Sequence, residues 1–242
     1  MEEFEFYSIK TTNKKVVKSF SKLENLYKQI PETKGCLENL EDCKGWCCNL
    51  QTPQLLYVEF LNIWKEVLND KDLVLESIER SLINYVQGFT TKGCVFFNQK
   101  TKLCNCHKKR PYNCYIYGIT PKEEFQPRYE RMKEMYKDKI DAVIKDQCPL
   151  VSTINEEKVS VEDTDKWWQE LVKIEKSIGI PENLINDDIG GSYRTPHDHL
   201  LLYIMPDSIL QQLQCIRMSD NIEEKLLAVN GFMRGFKKNL ND

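Results

Sequence analysis

The chain has 242 residues, with 34 Lys and Arg against 37 Asp and Glu, for a net charge of −3. Hydrophobic residues make up 41%, enough for a sizeable core. This balance does not by itself demand a nucleic-acid or membrane partner. The N-terminal Met-Glu-Glu-Phe-Glu-Phe is acidic and lacks a signal-peptide apolar core, and no apolar run approaches the ~20 residues of a membrane span. These features predict a cytoplasmic protein. Thiols stay reduced in that compartment, so clustered cysteines favour metal over disulfides.

The alternation of Phe4 and Phe6 with Glu3 and Glu5 suits a short edge strand or a frayed segment. Val16, Phe20, Leu23, Tyr27 and Ile30 recur at helical spacing, and Pro31 ends that helix. Cys36, separated from Cys43 by six intervening residues, reads as a spectator.

Cys43-Lys-Gly-Trp-Cys47-Cys48 is the sharpest local signal. Adjacent cysteines cannot easily direct both thiolates to one tetrahedral zinc. From a turn that Gly45 would permit, they can serve a cluster or two metals. Either member of the pair can also be a small buried hydrophobe.

Thr52-Pro53 reads as a helix cap and first helical residue. Leu56, Phe60, Trp64 and Leu68, with Val67, predict one buried helical face. Leu75, Ile78, Leu82 and Val86 predict another after Asp72. These two helices would bring the cysteine blocks together. Glu59 faces either the site or, as is commoner, solvent.

The second block runs from Cys94 to Cys114. Gly93 to Asn98 predicts a short strand paired with Leu103-Cys104 around an Asn98–Lys102 turn. This knuckle would place Cys94 near Cys104. Arg110-Pro111 breaks the backbone before Cys114. Tyr112, Tyr115 and Tyr117 suit a packing shell that excludes water, or a stacking surface for a nucleobase. From Gly88 to Lys122 there is no acidic residue, while Lys92, Lys100, Lys102, Lys108, Lys109 and Arg110 give a basic island. Such cations would stabilise thiolates. They also suit a solvated face, or docking of nucleic acid or an acidic protein.

Cys43, Cys47 and Cys48, then Cys94 with Phe96, then Cys104, His107, Arg110, Pro111 and Cys114 together resemble the YkgJ-like cysteine-cluster family. The match spans about Cys43 to Tyr117 and extends toward Cys148-Pro149. The resemblance implies chelation of zinc or iron and little more. Cys106 departs from the family pattern, and is either an extra ligand or a buried thiol.

Tyr129, Met132, Tyr136, Ile140, Val143 and Ile144 predict an amphipathic helix ending at Cys148, a further candidate ligand. Residues 152–163 read as a polar linker or surface loop. Trp167, Trp168, Leu171, Val172, Ile174 and Ile178 predict a helix ended by Gly179 and Pro181. Asn186 to Ser192 is a loop without a phosphate-binding fingerprint. Thr195-Pro196 caps a helix whose His197, Asp198 and His199 invite a metal reading. Residues i and i+2 point apart on a helix, however, so a structural role is preferred. Leu200 to Ile204, Ile209, Leu210, Leu213 and Ile216, then Leu226, Leu227, Phe232 and Phe236, predict core helices, with Cys215 buried among them.

The expected fold is mostly α: a helical domain with a small β-hairpin or knuckle carrying part of a cysteine-ligated metal site. The expected division is a cysteine-cluster domain over 1–150 and a helical region over 151–242 packed on it. The favoured function is an iron–sulfur protein using Cys43, Cys47, Cys48, Cys94, Cys104, Cys114 and Cys148, with 4Fe–4S as the expected cluster. Cys106 is a further candidate metal ligand. The role would be electron transfer, or redox- or sulfur-dependent modification with a biosynthetic partner. The alternative is a zinc-stabilised module that contacts nucleic acid or an acidic partner through residues 88–122. A third reading is a metalloenzyme built on His197, Asp198 and His199.

Overall fold

A computed structural model describes residues 5–34, 47–48, 52–88, 93–136, 151–185, 191–205 and 207–239. Its elements are α1 (Lys14–Tyr27), β1 (Thr33–Lys34), α2 (Tyr57–Val67), α3 (Lys71–Val86), α4 (Tyr112–Ile116), α5 (Lys122–Tyr136), β2 (Ser152–Thr153), α6 (Val161–Ser177), α7 (Glu182–Ile185), α8 (Pro196–Ile204), α9 (Asp207–Arg217) and α10 (Ile222–Asn239). Single 3-10 turns cover Glu5–Ser8 and His107–Lys109. The fold is mostly helical, as its 3.6-residue apolar periodicities require. No described helix is long and apolar enough to cross a membrane.

The most buried helix is α2. Tyr57, Phe60, Leu61, Ile63 and Trp64 are at most 2% exposed. A helix apolar on nearly all sides must be covered all round. Here α1, α3, α6 and α8 pack against it. In turn α1 lies on α6, and α3 carries α8, α9 and α10.

The start of α2 differs from expectation. Thr52-Pro53 does not cap it; the helix begins four residues later at Tyr57. Leu55 first forms an antiparallel bridge with Arg194, through N–H to carbonyl bonds of 2.8 and 3.1 Å. The bridge holds the chain extended up to the helix start. Two buried glutamates then do the capping. Glu59 accepts the Leu56 N–H at 2.9 Å, and Glu175 from α6 accepts those of Tyr57 and Val58 at 3.0 and 2.8 Å. Carboxylates there satisfy otherwise orphan donors at the positive end of the helix. Thus Glu59, 2% exposed, does not face solvent.

Other expectations shift for similar reasons. The N-terminal segment is a 3-10 turn, not a strand, with Phe6 packed edge-on to Tyr57 at 5.2 Å; Phe4 lies outside the described residues. The cap of α3 is Asp70, whose carboxylate accepts the N–H groups of Asp72 and Leu73. The stretch 152–163 is not all loop: Ser152–Thr153 pairs antiparallel with Thr33–Lys34, and α6 starts at Val161 behind a Ser160–Asp163 capping box. Leu68, Leu226 and Leu227 are 48, 37 and 67% exposed, and Cys215 is exposed rather than buried. On α10 the core side is instead held by Val229 and Met233. The backbone of α5 runs to Tyr136; Ile140, Val143 and Ile144 lie outside the described residues.

Candidate metal centre

The second cysteine block forms a knuckle reduced to a single bridge. Phe97 pairs with Cys104, and Asn98 closes the turn by accepting the N–H groups of Lys100 and Thr101 at 2.9 and 3.1 Å. Lys102 sits at φ 59° in the turn, a left-handed conformation. The two-stranded sheet lies elsewhere, between β1 and β2.

Arg80 of α3 holds the other side of this turn. Its Nη1 donates to the carbonyls of Val95 (2.8 Å) and Phe97 (2.5 Å), and its Nη2 to that of Cys94 (2.8 Å). One planar guanidinium thus fixes three carbonyls of a loop that has almost no regular secondary structure. Sequence reading missed this residue. The available signal was a polar stripe, Ser77, Arg80, Ser81 and Asn84, at helical spacing beside the apolar one.

The first block reaches the second through the backbone. Cys94 N–H donates to the Cys48 carbonyl at 2.8 Å, and the Thr52 hydroxyl donates to that of Gly93 at 3.0 Å. Cys47 and Cys48 are helical, with sulfurs 3.8 Å apart. Cys114 stands on α4, which opens at Pro111. The N–H of Tyr112 donates to Glu59 at 2.6 Å, and the Tyr112 hydroxyl donates to the Thr164 carbonyl at 2.9 Å. Hence α4 is tied to both α2 and α6.

These segments surround a cavity of about 930 Å³ whose lining includes Cys47, Cys48, Cys94, Cys104, Cys106 and Cys114. Cys43, Cys148 and the presumed spectator Cys36 lie outside the described residues. Among the described residues, no three His, Cys, Asp or Glu side chains form a group that could hold a metal ion as they stand.

The electrostatics separate the thiols. A hydrogen bond from Cys48 pulls Cys47 down to about 7, with help from nearby Arg110. The same pairing pushes Cys48 up. Burial raises Cys94 to about 12 and also raises Cys104, Cys106 and Cys114. Proximity to one another adds to this: Cys104 and Cys94 both raise Cys114 and Cys106. Clustered thiols withdrawn from water oppose one another's ionisation, and a bound cation would offset that opposition.

The donor set fits a soft metal. Clustered sulfur ligands suit zinc or iron–sulfur chemistry, not hard cations. A buried polar atom without a partner, the Nε of Arg110, also stands at this cavity.

Tyr115 stacks on Tyr27 at 4.6 Å and lies under Arg110. Tyr112 is buried, and Tyr117 lines the cavity. Of the basic island, Lys109 pairs with Glu24 at 2.6 Å; Lys100, Lys102 and Lys108 are exposed. Lys92 lies outside the described residues.

His197 and His199 are not placed as ligands. His197 Nε2 lies 3.1 Å from the Gly93 carbonyl and its Nδ1 3.3 Å from the Ser81 hydroxyl. His199 Nε2 lies 3.0 Å from the Leu55 carbonyl and its Nδ1 3.0 Å from the Tyr7 hydroxyl. Each ring therefore donates through Nε2 and accepts through Nδ1, leaving no lone pair for a metal. Asp198 accepts the Thr195 hydroxyl in the first turn of α8. Their work is structural: His197 anchors Gly93, next to Cys94.

The fold and its thiol-lined cavity define a cysteine-cluster metal-binding domain on a helical scaffold. Residues 35–151 match the CxxCxxCC family model, described as a "Putative zinc- or iron-chelating domain", in keeping with the resemblance carried by the cysteine blocks. No curated protein and no solved structure matches the chain.

Proposed function

We propose that the chain is an iron–sulfur protein. Its cluster would take thiolates from Cys43, Cys47, Cys48, Cys94, Cys104, Cys114 and Cys148, four of them sufficing for one 4Fe–4S cluster. The observation that carries this reading is that Cys47, Cys48, Cys94, Cys104 and Cys114 line one cavity although they come from three separate stretches of chain. The adjacent pair favours iron–sulfur over zinc. Both Cys47 and Cys48 border the cavity, whereas a single tetrahedral zinc would accept neighbouring thiolates only with difficulty. The surplus of thiols over four points the same way.

The role of such a centre would be electron transfer, or redox- or sulfur-dependent modification of another molecule. The exposed Lys100, Lys102 and Lys108 suit an acidic redox or biosynthetic partner. The deciding measurement is iron, zinc and acid-labile sulfide in anaerobically purified protein, with its visible spectrum. Iron with matching sulfide supports the proposal. Zinc without sulfide replaces it with a zinc-stabilised binding module. A colourless, metal-free protein removes both.

A further inference from the structure

We propose that Arg110 is the residue that fixes the charge of the thiol centre, its free Nε–H serving as a donor to the sulfur atoms once metal is bound. This rests on the metal-binding reading above and names the side chain that controls it.

Four observations support it. First, the guanidinium is held from several sides. Nη1 donates to His107 Nε2 at 3.1 Å, Nη2 donates to the Thr33 hydroxyl at 3.3 Å, and the group lies 4.5 Å over the Tyr115 ring. Those contacts fix the position of the charge and engage both terminal nitrogens. Second, Nε is buried and has no partner. A buried N–H without an acceptor destabilises the fold, and sulfur ligands in the adjoining cavity would remove that cost. Third, Arg110 borders the cavity in the company of Cys47, Cys104 and Cys114.

Fourth, two other cations nearby are committed elsewhere. Lys109 is paired with Glu24, and Arg80 spends its donors on the carbonyls of Cys94, Val95 and Phe97. A metal–thiolate centre here would carry net negative charge beside the guanidinium. There a fixed cation with an N–H donor holds the ligands and favours the more reduced state. Lysine would keep the charge but lose Nε, the planar fork and the ring stacking.

The test uses protein as isolated and does not depend on which metal is present. Wild type, Arg110→Gln, Arg110→Lys and Lys100→Gln are challenged with a chromophoric chelator, and the rate of metal loss is followed. Circular dichroism beforehand checks that each is folded. The expected result is metal loss at least tenfold faster in Arg110→Gln, a partial recovery in Arg110→Lys, and wild-type behaviour in Lys100→Gln, which removes an exposed cation of the same basic segment. If iron is present, the reduction potential of Arg110→Lys also moves to more negative values. Equal rates in all four proteins overturn the role of Arg110 but leave metal binding intact. Equal acceleration in Arg110→Gln and Lys100→Gln overturns it too, because general basicity would then suffice. A wild type isolated without metal overturns the metal-binding reading itself, and Arg110's role with it.

Discussion

Glu59 Oε1 accepts the backbone N–H of Tyr112 at 2.6 Å, so a carboxylate buried in α2 holds the first turn of the helix that carries Cys114. The same oxygen accepts the Tyr27 hydroxyl at 2.6 Å, and Oε2 accepts the Leu56 N–H. One side chain therefore links α1, the start of α2 and α4. Burial raises its pKa, and the three donors oppose that rise.

Removing the carboxylate should unlock that junction. Glu59→Ala leaves three buried donors without an acceptor, at about 1 kcal/mol or more each. The expected loss of stability is about 3 kcal/mol or more in urea unfolding. Glu59→Gln keeps one oxygen and should lose less. If the alanine variant unfolds at the wild-type urea midpoint, Glu59 does not hold the junction.

The pH dependence of stability should carry a signature of Glu175. Burial pushes its carboxyl from 4.5 up to about 7, against two N–H donors from α2. A folded-state pKa above the unfolded one means that the native protein binds the extra proton between these values. The contribution of Glu175 is then largest below about 4.5, declines as pH rises to about 7, and is constant beyond. Buried His199, lowered to about 3, gives the opposite slope below 6.5. Both wild type and Glu175→Gln contain it, so it cancels in their difference. The stability of wild type relative to Glu175→Gln should fall by on the order of 3 kcal/mol from pH 4.5 to 7. Denaturant titrations across that range measure it; a flat or rising difference contradicts the assignment.

The helices and their apolar faces were legible in the sequence because burial imposes a 3.6-residue period: Val16, Phe20, Leu23 and Tyr27 on α1, and Phe60 and Trp64 on α2, are buried as the spacing requires. The cysteine blocks were legible because thiol clustering has a composition signature. What sequence did not reveal was long-range polar wiring. Glu175 caps a helix 117 residues away, and Leu55 bridges to Arg194. Such bonds leave no local periodicity. The exposed faces of Leu226 and Leu227 were misread because the apolar residues of α10 spread over more than one side. The core uses Val229 and Met233 instead.

Arg80 should matter as much as the cysteines it positions. Its three donated bonds to the carbonyls of Cys94, Val95 and Phe97 cannot be reproduced by lysine, whose ammonium lacks the planar fork. Arg80→Lys should therefore cost about 2 kcal/mol of stability and speed metal loss to a chelator. Unchanged values for both would show that the 94–97 turn holds itself.

Thiol labelling should sort the cysteines by their surroundings. Cys215 is exposed, while Cys94 and Cys106 are 6% exposed and burial raises their pKa. The thiolate is the reactive form, so both access and ionisation protect the buried pair. Brief iodoacetamide treatment of native protein, read by peptide mass spectrometry, should modify Cys215 well before Cys106 and leave Cys106 unmodified until denaturant is added. Cys106 then serves as a probe of the scaffold: if it is labelled as fast as Cys215 in folded protein, the wall of the cavity opens to solvent, and the thiols there are not the buried set described above.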